Sequence, residues 1–315
     1  MYGQEIRWNI PGRQRRILAF SDLHFCKKVA KRRISVILTT LKRVCQEEKI
    51  DYIFFLGDLL NSLEVLNDAL LRTQLKMFLT ELAELAPVII VTGNHDLSYY
   101  SAGANRGMMC PWQWYRWVQT LVRNKRIHVL DAALGPDAEI FDDGVVRILG
   151  MSLPEVCYPT TVAEGEDSVK VFRGYAYEVL PKLTSVKDRE YYLLLHSPSF
   201  LSKIELDPQI AVLAGHMHNG LVPPILDEIT HSSDRGLVGP GYYDRNGRKK
   251  SYVPFAHGAR YRPTEQRPWL TLNSCVHLPP ESWLWGLDGI FPAVSYATII
   301  GEGPDMSVSG RYFQC

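Results

Sequence analysis

Acidic, amide and histidine side chains cluster in five short blocks of the sequence, and each block ends a run of apolar residues. The blocks are FSDLH, FFLGDLLN, VIIVTGNHD, YYLLLHSP and AVLAGHMHNG. Seven of their side chains offer oxygen or imidazole donors for a cation, namely Asp22, His24, Asp58, Asn94, His196, His216 and His218. So many donors in one small volume need a cation to neutralise them, because buried polar and charged groups require partners. The blocks therefore predict a metal site.

The size of the donor set indicates two metal ions rather than one. Two ions that lie roughly 3.5 to 4 Å apart need a shared ligand, and a carboxylate can use its two oxygens for that purpose. Asp58 is the candidate bridge. The glycine before it lets the backbone approach closely. Nitrogen and oxygen donors without cysteine favour Mn, Fe, Zn, Co or Ni over ions that thiolates select.

Two such ions would acidify a bridging water and hold both the attacking and the leaving oxygen of an in-line displacement. That is the chemistry of phosphoester hydrolysis. His95 is then not needed as a ligand, and beside the metals it could protonate the leaving oxygen or stabilise the phosphoryl charge. Asp96 follows it in the sequence and would either orient the His95 ring or cap a turn.

The apolar runs before the blocks have the length of β-strands, and segments with helical periodicity separate the first three. The first third of the chain is predicted to contain strands over 17–20, 52–56 and 88–91, and helices over 31–47 and 64–85. Further strands are predicted over 145–149, 190–195, 210–214, 269–274 and 294–300, with helices near 112–123 and 172–182. The carboxyl ends of strands in an open α/β sheet converge on one crevice, so the five blocks are expected to meet there.

The length of 315 residues allows one large α/β domain or two smaller ones. We predict a single domain over 1–315, with an irregular insertion at about 222–268 that is rich in Pro, Gly, Tyr, Arg and His. The insertion begins directly after the fifth block, so we expect it on the substrate side of the site. Its candidate contacts to a substrate phosphate are Arg245, Arg248 and Arg260, with a solvated loop as the alternative.

The composition and charge exclude several classes of protein. With 46% apolar and 22% charged residues, the chain is typical of soluble globular proteins. Its net charge is only +1, so a polyanion could be bound only by a local basic patch. No signal peptide is visible, and no apolar run approaches the roughly 20 residues that span a bilayer. The six cysteines are scattered, without a C-x-x-C pair, which indicates reduced thiols. The cytoplasm is therefore the expected location.

Two further segments each have a structural and a functional interpretation. The first is a basic run that either guides an anionic substrate or forms a solvated helix face. It consists of Lys27, Lys28, Lys31, Arg32 and Arg33. The second is an aromatic segment whose members lie too close in sequence to share one helix face, namely Trp112, Trp114, Tyr115 and Trp117. Two of these four are expected to pack in the core, and the others to face outward or into a groove.

The series D-x-H, GD-x-x-N, GNHD, H and GH-x-H closely resembles the motifs of the calcineurin-like metallophosphoesterase superfamily, over roughly residues 16–220. The segments RILAFSDLH and LAGHMHNG are most similar to its bacterial single-domain members. This resemblance implies an α/β fold of two facing mixed β-sheets flanked by helices, in four layers. Asp96 stands where protein phosphatases usually carry Glu, and Asn61 where many relatives carry Asp, so a preference for monoesters or diesters is left open.

The resemblance also implies roles for individual residues. The first metal would be held by Asp22, His24 and His218, the second by Asn94, His196 and His216, and Asp58 would bridge them. His95 would be the catalytic histidine, oriented by a nearby acid for which Asp96 is the candidate. The cofactor would be two divalent or mixed-valence transition metal ions per chain, with Mn, Fe or Zn expected.

The function expected from these arguments is hydrolysis of a phosphomonoester or phosphodiester by attack of a metal-bridging hydroxide. The substrate would be a small-molecule or lipid-linked phosphate ester. Two alternatives stay open, a nuclease of the double-strand-break-repair type and a non-catalytic binding module with the same fold. The near-neutral charge counts against nucleic acid as a partner. The complete ligand set, together with His95, counts against the binding module.

Overall fold

The structure is a computed structural model. It describes residues 2–10, 12–98, 111–158, 166–197, 201, 204–207, 209–216, 242–243, 249–251, 259–262, 269–273, 294–301 and 307–314. Its strands are β1 (Tyr2–Asn9), β2 (Ile17–Phe20), β3 (Tyr52–Phe55), β4 (Val88–Val91), β5 (Ile127–Leu130), β6 (Ile140–Asp142), β7 (Val146–Met151), β8 (Glu190–Leu195), β9 (Ile210–Ala214), β10 (Tyr242–Tyr243), β11 (Lys249–Ser251), β12 (Ala259–Arg262), β13 (Trp269–Asn273), β14 (Ser295–Ile300) and β15 (Ser307–Gln314). Its α-helices are α1 (Lys27–Arg32), α2 (Ile34–Glu48), α3 (Ala69–Leu85), α4 (Trp112–Leu121) and α5 (Glu166–Thr184).

Most of these strands form two mixed sheets. The first sheet has the order β15-β1-β14-β2-β3-β4-β5, and its strands β2 to β5 run parallel. The second has the order β12-β13-β9-β8-β7-β6, with parallel strands from β13 to β7 and antiparallel strands at both edges. The five polar blocks all follow strands of these parallel sections, namely β2, β3 and β4 in the first sheet and β8 and β9 in the second.

The strands before the blocks are almost entirely apolar, apart from Glu190 at the start of β8, because both of their faces are buried. In β3, Phe54 lies in the apolar layer between the two sheets, whereas Phe55 lies in the layer beneath helices α1 to α4. In β8, Leu194 lies between the sheets and Leu195 lies in the layer beneath α5. The architecture is therefore helix, sheet, sheet, helix, and the predicted fold class is confirmed.

Helix α3 illustrates how the sequence builds the outer layer. The Asp68 side chain caps it by accepting hydrogen bonds from the amides of Leu70 and Leu71, an interaction that contributes about 1 kcal/mol. Apolar residues at helical spacing form its buried face, namely Leu75, Phe78, Leu79, Leu82 and Ala83. Pro87 follows the helix and separates it from β4.

The predicted helices and strands are confirmed, with some changes of boundary. The helix predicted over 31–47 is divided into α1 and α2, because Arg33 leaves helical geometry with φ −125° and ψ −36°. The helix predicted near 172–182 begins earlier, at Glu166. Strands β1, β5, β6 and β15 were not predicted, and neither were β10, β11 and β12, which lie in the segment predicted to be irregular. Among the described residues, no helix is long and apolar enough to cross a lipid bilayer.

The aromatic segment of α4 divides as the spacing of its side chains predicts. Trp114 and Trp117 are buried in the core, whereas Trp112 is 54% exposed and Tyr115 is partly buried. In the basic run, Lys27, Lys28, Lys31 and Arg32 are exposed on α1, and Arg33 is buried.

The predicted insertion at about 222–268 lies mostly outside the described residues. Within it, β10 and β11 form an antiparallel pair, and β12 pairs with β13 at the edge of the second sheet. The part of the segment near its end therefore contributes a strand to the sheet.

Candidate metal centre

The loops that follow β2 and β3 carry three of the predicted ligands, and all three are buried in a left-handed backbone conformation. The φ angles are 57° at Asp22, 43° at His24 and 55° at Asp58. This conformation is unfavourable for residues other than glycine, and it is concentrated at functional sites. Hydrogen bonds hold the two loops together, since the Asp22 amide donates to the Gly57 carbonyl and the His24 amide donates to the Asp58 carbonyl, both at 3.0 Å.

The Asp58 carboxylate lies at the centre of the donor set. Its Oδ1 accepts a hydrogen bond from the His95 amide at 2.8 Å. Its Oδ2 lies 3.1 Å from His196 Nε2 and 3.7 Å from His24 Nε2. Within the described residues, this buried Oδ2 accepts no well-aligned hydrogen bond. One oxygen is thus fixed by the backbone while the other points towards two imidazoles.

His196 follows β8 in the second sheet and reaches across to the loops of the first. Its Nδ1 lies 2.7 Å from the carbonyl oxygen of Leu56, which can only accept a hydrogen bond, so Nδ1 carries the proton. Its Nε2 lies 3.1 Å from Asn94 Oδ1 and 3.3 Å from His216 Nδ1. The structure therefore brings together donors from the ends of β4, β8 and β9.

Asp22 connects the first sheet to the loop after β9. Its Oδ2 accepts hydrogen bonds from the Ser21 hydroxyl and from the His216 amide, the latter at 3.1 Å. Its Oδ1 lies 3.8 Å from His24 Nε2 and 3.9 Å from His196 Nε2. Two groups of donor atoms result, one from His24, Asp58 and His95 and the other from Asp58, His196 and His216, each within 4.8 Å of one another.

Both groups contain Asp58, and this overlap is what two ions with a shared carboxylate require. The donors are imidazole nitrogens and carboxylate or amide oxygens, which suit transition ions of intermediate softness. The Asp58 Oδ2, buried without a well-aligned partner among the described residues, is a position where a cation would supply the missing interaction. The residues present therefore fit a pair of metal ions.

His95 lies beside these donors, in the loop after β4. Its Nδ1 is 2.8 Å from the carbonyl oxygen of Asn61, so that nitrogen carries the proton. Its ring meets the His24 ring edge to face, with centroids 4.5 Å apart. The contact to a backbone carbonyl gives no signal in the sequence, because every residue type offers one.

Asp96 connects the loops after β3 and β4. Its fully buried carboxylate accepts hydrogen bonds from the amides of Leu60 and Gly93, both at 2.9 Å. These contacts are to backbone amides of the ligand-bearing loops. They are the kind of contact expected if Asp96 caps a turn, rather than if it orients the His95 ring.

The charges of the centre shift the pKa values of its members. Burial alone would raise the pKa of Asp58, but the nearby imidazoles of His196, His95 and His24 outweigh it and hold the pKa well below its usual value. Burial opposes a charge on His196, yet the Asp58 and Asp22 carboxylates raise its pKa to about 9. Burial and the Asp58 charge raise the pKa of Asp96 to about 7.

Glycines allow the loops to approach this closely. A Cβ atom on Gly93 would overlap both Oδ1 and the amide nitrogen of Asp58. A Cβ atom on Gly57 would overlap the His196 ring, and the φ of this glycine is 87°. The glycines within the motifs are therefore needed for the packing of the donors themselves.

The structure brings together six of the seven predicted ligands, with His95 and Asp96 beside them. The seventh, His218, lies outside the described residues, as do Arg245 and Arg248. The backbone of Arg260 belongs to β12, and its side chain is not described. The carbonyl groups of Leu56 and Asn61, which lie against His196 and His95, were not predicted from the sequence.

A model of the calcineurin-like phosphoesterase family matches residues 15–220, well over half of the chain. The chain belongs to this family. Its members are dinuclear metal-dependent, in agreement with the two overlapping donor groups, and the family assignment supports a metal-dependent hydrolase. The resemblance inferred from the five blocks is thereby confirmed.

Solved structures with similar chains include a nucleotidase and two phosphatases. An NAD nucleotidase of Haemophilus influenzae is 14% identical, with 86% of this chain and 45% of that chain covered and a TM-score of 0.43. A purple acid phosphatase from yellow lupin (Lupinus luteus) is 13% identical, with coverages of 84% and 45% and a TM-score of 0.39. A dimetal phosphatase from Danio rerio is 12% identical, with coverages of 95% and 98% and a TM-score of 0.40. No curated protein sequence matches the chain significantly.

Proposed function

We propose that this calcineurin-like phosphoesterase hydrolyses a phosphomonoester or phosphodiester with the help of two bound transition metal ions. The observation that supports it most strongly is that Asp58 belongs to two overlapping groups of donor atoms, in each of which two of the three residues are buried. A single closed metal site would use each ligand once, whereas a bridging carboxylate is characteristic of dinuclear hydrolases. The ions would be divalent or of mixed valence, with Mn, Fe or Zn suited to the nitrogen and oxygen donors.

In this proposal, the ligands divide into two sets around Asp58. Asp22, His24 and His218 hold one ion, and Asn94, His196 and His216 hold the other. The Nδ1 proton of His196 is engaged by the Leu56 carbonyl, so in the neutral imidazole Nε2 is the nitrogen that would coordinate an ion. When bound, the two ions would supply an acidified water and would neutralise charge on the phosphoryl group.

His95 is proposed to protonate the leaving oxygen of the substrate. Its Nδ1–H points at the Asn61 carbonyl, which leaves Nε2 as the nitrogen that exchanges a proton with the substrate. Asp96 is proposed to act through position rather than by contact with substrate. It accepts hydrogen bonds from the loops after β3 and β4, and so keeps Asp58 and Asn94 at a fixed separation.

The proposed substrate is a small-molecule or lipid-linked phosphate ester. The four exposed lysines and arginines of α1 directly follow the loop of Asp22 and His24, and would attract an anion towards the centre. The proposed insertion at about 222–268 begins just after His218, and its Arg245, Arg248 and Arg260 are the proposed contacts to a second phosphate or a charged head group.

The test of the dinuclear proposal is Asp58→Asn. This substitution keeps the size of the side chain but removes the charge that both donor groups share, so elemental analysis after reconstitution with Mn should find both ions reduced. Hydrolysis of a chromogenic phosphate ester should fall in parallel. Asp68→Asn is the matched control, because it makes the same chemical change at an exposed helix cap where asparagine is equally effective.

Two outcomes would overturn the proposal. One is full activity in Asp58→Asn, and the other is a parent protein that takes up a single ion in a closed tetrahedral site. A protein that binds two ions but hydrolyses no phosphate ester would support the binding-module alternative. Cleavage of DNA in preference to small esters would support the nuclease alternative, although the net charge of +1 offers no general attraction to nucleic acid.

We also propose the cytoplasm as the location, on the basis of the cysteines. Within the described residues, Cys26, Cys45 and Cys157 are free thiols. Burial raises the pKa of Cys45 to about 12 and that of Cys157 to about 11, so both stay protonated and unreactive at neutral pH. Cell fractionation with immunodetection of the protein would test this location.

A further inference from the structure

An open groove of about 960 Å³ runs between helices α3 and α4 on the outer face of the first sheet. The side chains that decide its chemistry are Arg72, Lys76, Met77, Trp112, Arg116 and Arg123. None of these residues belongs to the five motif blocks, so the groove is separate from the proposed metal centre.

The groove is strongly basic although the whole chain is nearly neutral. Four of its lining residues are Lys or Arg, and its one acid, Glu81, is paired with Lys42. The sequence from Pro111 to Leu130 contains four basic residues and no Asp or Glu. The net charge of the chain is only +1, so this positive charge is a local property of the α3–α4 face. A partner with complementary charge would be anionic.

The same face carries most of the large apolar side chains that are exposed in the described part of the chain. Leu70, Met77 and Trp112 are 66%, 56% and 54% exposed, and Val122 at the end of α4 is 39% exposed. The two others, Val171 and Tyr177, lie on α5 at the opposite side of the molecule. Single apolar side chains that project from helices, with basic residues between them, are typical of surfaces that lie at the boundary between water and a lipid bilayer.

We propose that the α3–α4 face docks on an anionic lipid bilayer. Tryptophan and aliphatic side chains enter the boundary between head groups and acyl chains, while Lys and Arg stems extend their charges to the lipid phosphates. Nucleic acid would use the positive charge but would leave Leu70 and Met77 in water. The combination of projecting apolar groups and local positive charge therefore favours a membrane surface over a polyanion.

Docking by this face would place the proposed metal centre beside the bilayer. The groove is lined at one end by Leu66 and Asn67, from the 3-10 turn Leu63–Asn67 that follows the Asp58 block, together with Trp112. Gln113 Nε2 and Asn67 Oδ1 lie 3.5 Å apart at this end. The docking proposal is argued from α3 and α4 alone and does not depend on the proposed hydrolysis. If both are correct, docking would give the metal centre access to lipid-linked esters.

The test is sedimentation of the full-length, metal-loaded protein with vesicles. Vesicles of phosphatidylcholine with about 30 mol% phosphatidylglycerol should bind it at low salt, and pure phosphatidylcholine should not. Lys76→Gln/Arg116→Gln should weaken binding by tenfold or more, since each basic residue near the surface contributes a factor of about five. Trp112→Ala should weaken it on the order of tenfold through lost apolar insertion.

Matched changes on the opposite helix layer serve as controls. Lys170→Gln/Lys187→Gln removes two exposed charges, and Tyr177→Ala removes an exposed aromatic ring, so both should bind like the parent. Circular dichroism and the thermal midpoint show whether each variant is folded, independently of any activity.

Four outcomes would overturn the docking proposal. The first is no binding to anionic vesicles at low salt, and the second is equal loss in the groove variants and the controls. The third is binding that disappears in Asp58→Asn but survives in the groove variants, which would assign the lipid to the metal centre. Tighter binding of an RNA homopolymer or an acidic peptide, with competition against vesicles, would likewise replace the bilayer as the partner. Because the readout is sedimentation, a failure of hydrolysis leaves the docking result unaffected.

Discussion

His95 could act either as a metal ligand or as a catalytic acid. Its ring belongs to one donor group, and its amide donates a hydrogen bond to Asp58. We expect His95→Ala to keep both metal ions and to lose on the order of 10² to 10⁴ in turnover, the usual contribution of a positioned acid. Metal content and kcat measured on the same preparation separate the two roles. His128→Gln is the control, because that histidine lies on β5, away from the donors.

The leaving group of the substrate provides a second measure of the role of His95. An ester whose leaving group departs without protonation should lose less activity in His95→Ala than an alkyl ester does. Loss of an ion from this variant would instead show that His95 is a ligand.

The raised pKa of His196 predicts proton release when metal binds. In the metal-free chain, this histidine has a pKa of about 9 and is protonated at neutral pH, whereas coordination requires the neutral imidazole. Loading at about pH 7.5 should therefore release about one proton from His196, and apparent affinity should rise about tenfold per pH unit up to the pKa. Titration calorimetry in buffers of different ionisation enthalpy measures this release.

The pH dependence of the release identifies its source. The contribution of His196 should vanish above about pH 10, because the imidazole is then already neutral. Asp96, with a pKa of about 7, should add part of a proton only near and below neutrality. Release that stays constant up to pH 10 would contradict this assignment.

The identities of the donors could be predicted from residue types, but their partners could not. Asp58 and His196 were predictable because a carboxylate and an imidazole that directly follow apolar strands, together with three similar blocks, have few other uses. The tautomers of His95 and His196 depend on backbone carbonyls of Asn61 and Leu56, and these come within range only through the packing of one loop on another.

At the level of elements, the loops after β3 and β4 pack so closely that glycine is required between them. Gly93→Ala should leave the two sheets folded but displace Asp58, with a loss of metal uptake and of hydrolysis, because the new methyl group would overlap the Asp58 backbone and carboxylate. Gly174→Ala is the control. It lies within α5 with no atom near the added methyl group, and should stabilise the protein by roughly 0.5–1 kcal/mol.

Elemental analysis and thermal melting of the two glycine variants distinguish a local from a global effect. A Gly93→Ala protein with full metal content would show that the loop can move aside without disturbing the donors. A Gly93→Ala protein that does not fold would show that the loop contributes to the core. The expectation that this variant folds but loses metal would then be wrong.

The elements that sequence predicted best are those with two buried faces. Strands β2, β3, β4 and β9 are continuous apolar runs, and β8 is apolar after Glu190, since each lies inside a sheet covered on both sides. Strand β1 was missed because it mixes Glu5 and Arg7 with Trp8, and it is held by pairing with β14 and β15 from the far end of the chain. Such pairing overrides local propensity.

At the level of the whole molecule, we expect the insertion at about 222–268 to determine substrate specificity without taking part in hydrolysis itself. Replacing residues 222–241 by a short Gly/Ser linker should leave metal binding and hydrolysis of a small chromogenic ester largely intact, because the deletion spares the motif blocks and β12. Turnover of the preferred substrate should fall, chiefly through a higher KM. Steady-state kinetics on a panel of phosphate esters with Mn provides the measurement.

Arg245→Gln/Arg248→Gln gives a milder version of the same test, with Lys170→Gln/Lys187→Gln as the control for charge. An unchanged substrate profile in both the deletion and the arginine variant would mean that the segment does not contact substrate. Failure of the deletion variant to fold would mean that the removed residues belong to the core of the domain, in which case the arginine variant still tests the proposed contacts.

The placement of β14 between β1 and β2 governs when the first sheet can close during protein synthesis. Ala297 pairs with Ala19, and Ser295 with Gln4, so both partners of β14 are translated long before β14 itself. Until then, β2 offers an unpaired edge to other chains while the second sheet is still being made. A ribosome-bound chain that stops before residue 295 thus exposes the edge of the very strand that carries the Asp22 loop.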